Sequence, residues 1–112
     1  MMQTVLRISG LPAAALDAAA AFHGEHLLRA RAELAGEDAL ALVFPAAPYD
    51  HAGWRKAAVR NLAREAAPKR VNGVAGDDEA AIAATLQWLD RAPGITGQLL
   101  AVDGTGAGNP EI

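Results

Sequence analysis

"YDHAGWRKAAVRNLAREAAPKRVNGVAG" (Tyr49–Gly76) is the stretch on which the fold turns. From about His51 to Ala67 the residues are mostly strong helix formers. Trp54, Ala58, Leu62 and Ala66 recur at four-residue intervals, so one stripe faces a core. Asp50 stands where a carboxylate caps a helix start, and Pro68 cannot continue the helix. "RVNGVAG" (Arg70–Gly76) then reads as a short buried strand. A helix followed at once by a buried strand is half of a β-α-β unit, so the flanks decide whether the unit repeats.

Downstream it does. Asp77, Asp78 and Glu79 place negative charge at a helix start, where the macrodipole favours it. Ile82, Leu86 and Leu89 form the apolar stripe of that helix up to Arg91, "GITG" turns the chain, and "QLLAVDG" (Gln98–Gly104) is a further strand. Upstream, "ALALVFPAA" (Ala39–Ala47) is a continuous apolar run of the kind covered on both faces, ended by Pro45 and Pro48. "TVLRIS" (Thr4–Ser9) is a β-branched strand, and Pro12 suits the first position of a helix running to about Leu34. Leu16, Ala20, His23, Leu27 and Leu34 fall near one face of that helix. Gly24 interrupts it, and "LRARAEL" (Leu28–Leu34) alternates with period two, so residues 26–34 are open to a strand reading as well. The resulting order, β-α-β-α-β-α-β, predicts an α/β fold: a four-stranded parallel sheet in a three-layer, Rossmann-like arrangement with helices on both faces. Residues 1–104 make one domain and 105–112, "TGAGNPEI", a flexible tail.

The totals narrow the function classes. A chain of 112 residues holds one core, and alanine supplies much of its 52% hydrophobic content while aromatics reach only 4%. Alanine faces pack closely but bury little area, so association is an expected source of stability. A net charge of −3 gives no general attraction to nucleic acid. The absence of cysteine excludes disulfides, thiolate metal sites and a cysteine nucleophile. No apolar run approaches the roughly 20 residues of a membrane helix, and the first residues hold no signal-peptide core, so a soluble cytoplasmic protein is the default.

Three segments resemble the short-chain dehydrogenase/reductase family. "KAAVRNLAREAAP" (Lys56–Pro68) is similar to its active-site helix, "RVNGVAG" to its "R-V-N-x-V-x-P-G" strand, and "ITGQLLAVDGTG" (Ile95–Gly106) to its "I-T-G-Q-x-x-x-V-D-G-G" ending. "LQWLDRAPG" stands where the family has its "F-L-x-S-D-x-A" helix end. These pieces cover roughly half the chain, in the family's order. The resemblance implies that the whole chain is a truncated C-terminal half of such a fold, without the first three strands and the glycine-rich dinucleotide loop.

The family's chemistry transfers poorly. There a tyrosine protonates the substrate carbonyl, and a lysine four residues later on the same helix face lowers the tyrosine pKa and holds the ribose. Lys56 matches that lysine, but Ala52 stands four before it and Tyr49 seven before it. Two helical turns separate Tyr49 from Lys56 by about 10 Å along the axis. "PAAP" (Pro45–Pro48) replaces the catalytic serine. After the first strand, "ISGLPAAALD" has one glycine where a dinucleotide loop needs several. Residual catalytic candidates are therefore Lys56, Tyr49 and His51, the last as a general acid or, alternatively, an exposed residue of a helix's first turn.

His23 and His26 have metal-compatible i, i+3 spacing, but nothing nearby completes a site, and His23 reads as a helix-face residue. Arg55, Lys56, Arg60, Arg64, Lys69 and Arg70 are six of ten basic residues, read as a solvated face with Lys69 and Arg70 at its helix's C-terminal end, or else as a patch for an anionic partner. "GTGAG" (Gly104–Gly108) reads as tail rather than phosphate loop, and Asp103 receives no catalytic role.

The expected function is a non-catalytic binding or assembly module with no metal and no cofactor of its own, paired as a homodimer or with a full-length reductase. In the resembling family the two central helices commonly form a four-helix contact between subunits, and the last strand and helix form another. Thr4–Ser9 is expected to leave an unpaired sheet edge. The alternatives are an NAD(P)-linked reductase subunit using Lys56 with a nucleotide half supplied by a partner, and a small-ligand binder near Pro45–Pro48, Gly76 and Asp103.

Overall fold

A computed structural model describes residues 3–102. Residues 103–112, and with them the tail and Asp103, lie outside the described residues. The strands are β1 (Gln3–Arg7), β2 (Ala39–Phe44), β3 (Arg70–Ala75) and β4 (Leu99–Ala101), all parallel and adjacent in chain order. Between them run α1 (Ala15–Ala21), a π-helical turn (Phe22–His26) and α2 (Leu27–Ala35), then α3 (Ala52–Ala66), then α4 (Glu79–Asp90). The α/β, Rossmann-like architecture read from the sequence is the one observed.

Every residue of β2 and β3 is buried, as the apolar run at Ala39–Phe44 requires of a strand covered on both sides. Leu40, Leu42, Phe44, Val71 and Leu99 face one core with Phe22, Leu34, Ala58, Val59 and Leu62 from the first three helices. Val43, Val74 and Leu100 face a second core with Ala81, Ile82 and Leu89 of α4. Each crossover steps to the next strand in the same direction, yet the third passes over the opposite face. The β3–α4–β4 connection is therefore opposite in hand to the first two, although such connections nearly all share one hand. By going to the second face, α4 covers apolar strand positions that would otherwise be bare.

Residues 27–35 are helix, not strand. The core row there is Ala18, Phe22, His26, Ala30 and Leu34, all buried and spaced by four. In an uninterrupted α-helix a step of four residues overshoots a full turn by about 40°, so four steps drift by about 160°. The wider π turn sets the chain back by nearly one residue, about 100°, and keeps the row on the sheet. Of the face read from the sequence, Leu16 is 85% exposed and Ala20 and His23 are also exposed, while Leu27 is half-buried and Leu34 buried. Most of that row points outward.

Helix starts differ from expectation too. α1 begins at Ala15, three residues past Pro12. Asp50 makes no cap, because a 3₁₀ turn (Tyr49–His51) leads into α3. Asp78 does cap α4, its Oδ1 accepting from the Ala81 amide at 2.9 Å.

Strand β1 forms one edge of the sheet. Asp90 partly blunts that edge, its Oδ1 accepting from the Gln3 amide at 2.9 Å, and Arg7 pairs with Glu79 at 2.9 Å. Among the described residues no helix is long and apolar enough to cross a membrane.

Candidate functional site

In a parallel α/β sheet ligands sit beyond the carboxyl ends of the strands. There the structure has a cavity of about 200 Å³, lined by the 46–49 loop, His51, Ala52 and Arg55 on one side and by Ala75, Gly76, Leu99, Ala101 and Val102 on the other. A neighbouring cavity of about 280 Å³ shares the loop, His51 and Arg55 and extends to Gly10–Ala13. Gly76 shapes the floor: a Cβ there would sit 2.5 Å from the Val102 carbonyl oxygen, so the ends of β3 and β4 close only over glycine.

His51 is buried, at 4% exposure, rather than an exposed first-turn residue. The Trp54 indole N–H donates to its Nδ1 at 3.2 Å, and its Nε2 lies 2.9 Å from the Ala13 carbonyl. An indole nitrogen only donates and a carbonyl only accepts, so these two partners suit the tautomer that accepts at Nδ1 and donates from Nε2. Both ring nitrogens are thus engaged in tying the segment before α1 to the start of α3. Tyr49 is 80% exposed at the cavity rim. Lys56 is half-buried one turn beyond Ala52, and it is not among the described residues lining the cavity. Among the described residues no hydrogen bond joins Tyr49 to Lys56. The sequence-derived trio is therefore not gathered into one constellation: Tyr49 and His51 border the cavity, and Lys56 lies apart from it.

The residue that sequence reasoning missed is Arg55. It is 4% exposed, its Nη1 donates to the Pro45 carbonyl at 2.8 Å, and its guanidinium lies 4.9 Å from the Phe44 ring centre and 5.7 Å from that of Trp54. The signal was present in the helical period. Ala52, Arg55, Val59 and Leu62 form the i, i+3, i+7, i+10 row, all buried, and Arg55 occupies a core slot on it.

The basic cluster does not form one patch. Arg60 and Arg64 are exposed on α3, and Arg55 is inside. Lys69 and Arg70 serve other helices than the one they follow: Lys69 Nζ donates to the Leu34 carbonyl at the end of α2. Arg70 Nη1 donates to the carbonyls of Leu89 and Ala92 at the end of α4, at 3.0 and 3.1 Å. Asn72, 1% exposed, holds the loop before β4, its Nδ2 donating to the Ile95 carbonyl at 2.9 Å and its Oδ1 accepting from the Gln98 amide at 3.1 Å. The "RVN" of β3 is thus a structural device that fixes α4 and the turn into β4.

His23 is exposed, with Nδ1 on the Ala19 carbonyl at 2.8 Å. His26 is buried and stacked on Phe22. The two do not converge, and among the described residues no group of three or more His, Asp and Glu is placed to hold a metal ion.

Nor do the residues after β1 fit a dinucleotide. A pyrophosphate is held by free amides at a helix start. Pro12 has no amide to offer, and α1 is only seven residues long.

A model of the short chain dehydrogenase-like protein family, also termed SDR-like, matches residues 6–102, which takes in the end of β1, the other three strands and every described helix. Neither the curated proteins nor the solved structures gave a match. With nearly the whole described fold inside the match, this chain belongs to the short chain dehydrogenase-like family.

Proposed function

We propose that the chain is a non-catalytic assembly module, a reduced C-terminal half of a short-chain dehydrogenase fold that pairs with a second copy or with a full-length reductase. The observation that carries this reading is the amount of apolar side chain left at the surface of so small a fold. Leu16 is 85% exposed, Leu28 66% and Trp88 50%. Leu16, Ala20, Gly24 and Leu28 form an outward row along α1, the π turn and α2. Solvent exposure of such groups is offset when a partner covers them.

The site supports the same reading. Ala52 puts a methyl group one turn before Lys56, where the family's proton-donating phenol belongs, and His51 has both nitrogens occupied by the fold. Native mass spectrometry of the pure chain, alone and mixed with full-length short-chain reductases, tests the proposal. Dimers or a mixed complex are expected. A strictly monomeric chain that joins no reductase would contradict it.

A second reading is a reductase subunit that borrows its nucleotide half and uses Lys56 with Tyr49. It is favoured by the cavity at the strand ends, which Tyr49 borders. It predicts nicotinamide binding by the complex and loss of activity in Lys56→Ala. Fluorescence titration with NAD(P)H that shows no binding, alone or in the complex, excludes it.

A further inference from the structure

Strand β1 has a neighbour on one side only, β2. Backbone groups along a strand in a parallel ladder point alternately to either side. The Ile8 amide donates to the Val43 carbonyl at 2.8 Å, so Leu6 also bonds towards β2, and Val5 and Arg7 direct their amides and carbonyls outward. Gln3 faces outward as well, but its amide is held by Asp90. Among the described residues nothing pairs with the outward groups of Val5 and Arg7. Alternating donors and acceptors at strand spacing are matched by another extended strand and by little else.

The open run is complementary to itself. With a second β1 laid antiparallel and Leu6 opposite Leu6, Val5 stands across from Arg7 of the other copy and Arg7 from its Val5. These are hydrogen-bonded pairs, in which each residue both donates and accepts. Every outward group of Val5 and Arg7 is then used. A register centred on Val5 is closed, because it would bring the Arg7 carbonyl of the other copy to the Gln3 amide that Asp90 already holds.

The side chains agree with the Leu6-centred register. Val5 is 42% exposed, a large share for a valine in a strand. Across from it the aliphatic stem of Arg7 would cover it, on the same face of the sheet. The two Arg7 guanidinium groups are not left to repel each other, since each is held by its own Glu79 through Nη1 at 3.1 Å and Nη2 at 2.9 Å. A two-fold axis also uses up both β1 edges at once, so the assembly closes.

We propose that this chain self-associates edge to edge, β1 antiparallel to β1 of a second copy about a two-fold axis at Leu6, joining the two sheets into one. The proposal rests on the assembly reading and deepens it by naming a contact built from backbone groups rather than from the apolar helix exteriors. A single short strand per subunit is a small contact beside the roughly 1,200–2,000 Å² of stable interfaces. The pair is therefore reversible, with a dissociation constant on the order of ten to a hundred micromolar.

Amide hydrogen exchange of the unmodified chain, read residue by residue by NMR, tests the contact. The Val5 and Arg7 amides are expected to exchange freely in dilute solution and to become protected as concentration rises through the micromolar range. The Leu6 amide, bonded within the sheet, is expected to be protected throughout. Val5→Pro removes an outward N–H and no bond to β2, a place where an edge strand tolerates proline. It is expected to weaken the dimer about tenfold or more in sedimentation equilibrium, a circular dichroism melt confirming that the variant is folded. A dimer in which Val5 and Arg7 exchange as they do in dilute solution, or that a folded Val5→Pro chain forms equally well, would overturn the β1 contact and leave the assembly reading standing. So would protection that appears only when a full-length reductase is added. Protection at every concentration would assign the edge to the chain's own remaining residues and overturn the proposal. A chain that stays monomeric into the sub-millimolar range and joins no reductase would overturn both.

Discussion

Gly73 shows how tightly single residues are constrained in this small core. A Cβ there would lie 2.8 Å from Leu99 Cδ1 and 2.9 Å from Val59 Cγ2, between β4 and α3. Gly73→Ala should therefore destabilise the fold by about 1–3 kcal/mol, the usual range for overpacking. Urea denaturation checks this, and an unchanged midpoint would mean that α3 and β4 yield easily. His51 is held as firmly. His51→Ala removes one acceptor and one donor inside the protein and strands the Trp54 indole N–H and the Ala13 carbonyl. A loss of about 1–3 kcal/mol is expected in the same experiment. What the sequence concealed here was environment. Ala52 and Lys56 are legible as letters, so the displaced Tyr49 was visible at once. The burial of His51 and Arg55 follows from what packs on them, Ala13, Phe44 and Trp54, and these come from elements that the chain brings together only on folding.

At the scale of elements, the segment from Ala15 to Ala35 carried the least clear signal. A core row spaced by four drifts off the period of 3.6 and is equally compatible with a period of 2, and the π turn that keeps it helical has no simple sequence signature. The reading from the sequence therefore placed Leu16 and Ala20 together with Leu34, and the structure separates them. Gly24 sits in that turn with nothing within 4 Å of a Cβ built on it. Gly24→Ala should raise stability by roughly 0.5–1 kcal/mol through the restricted unfolded chain. A melting temperature that falls instead would show that the turn needs glycine for its shape.

Helices α2 and α3 are joined by Arg31 and Glu65, a bidentate pair at 2.8 and 2.9 Å. The hydrogen bonds from Arg31 hold the Glu65 carboxyl below its usual pKa. A carboxylate with a depressed folded pKa contributes stability above its unfolded value, and that contribution is lost as pH falls through the folded value. The pair is solvent-exposed, so the effect is small. Glu65→Gln should melt slightly below the parent at neutral pH, and the difference should vanish in the acid range below the ordinary carboxylate pKa. A difference that persists there would assign it to packing.

For the whole molecule, strand order, direction and the two-sided burial of β2 and β3 were legible because uninterrupted apolar runs between helix-forming segments have few other solutions. That helices lie on both faces was legible too; that α4 is the one on the second face was not, because a stripe such as Ile82, Leu86 and Leu89 says that a helix packs and not on which side of a sheet. That placement has a functional consequence. It leaves α1 and α2 with one apolar exterior and α4 with another, on opposite layers of one thin fold.

In the proposed assembly a partner covers these exteriors. Sedimentation equilibrium measures this most directly, run on the pure chain from micromolar to sub-millimolar concentration, alone and with a full-length short-chain reductase. The expected result is a mass that rises above the 11.5 kDa of one chain, by self-association or by joining the reductase. A mass of 11.5 kDa at every concentration, with no mixed species, would contradict the account.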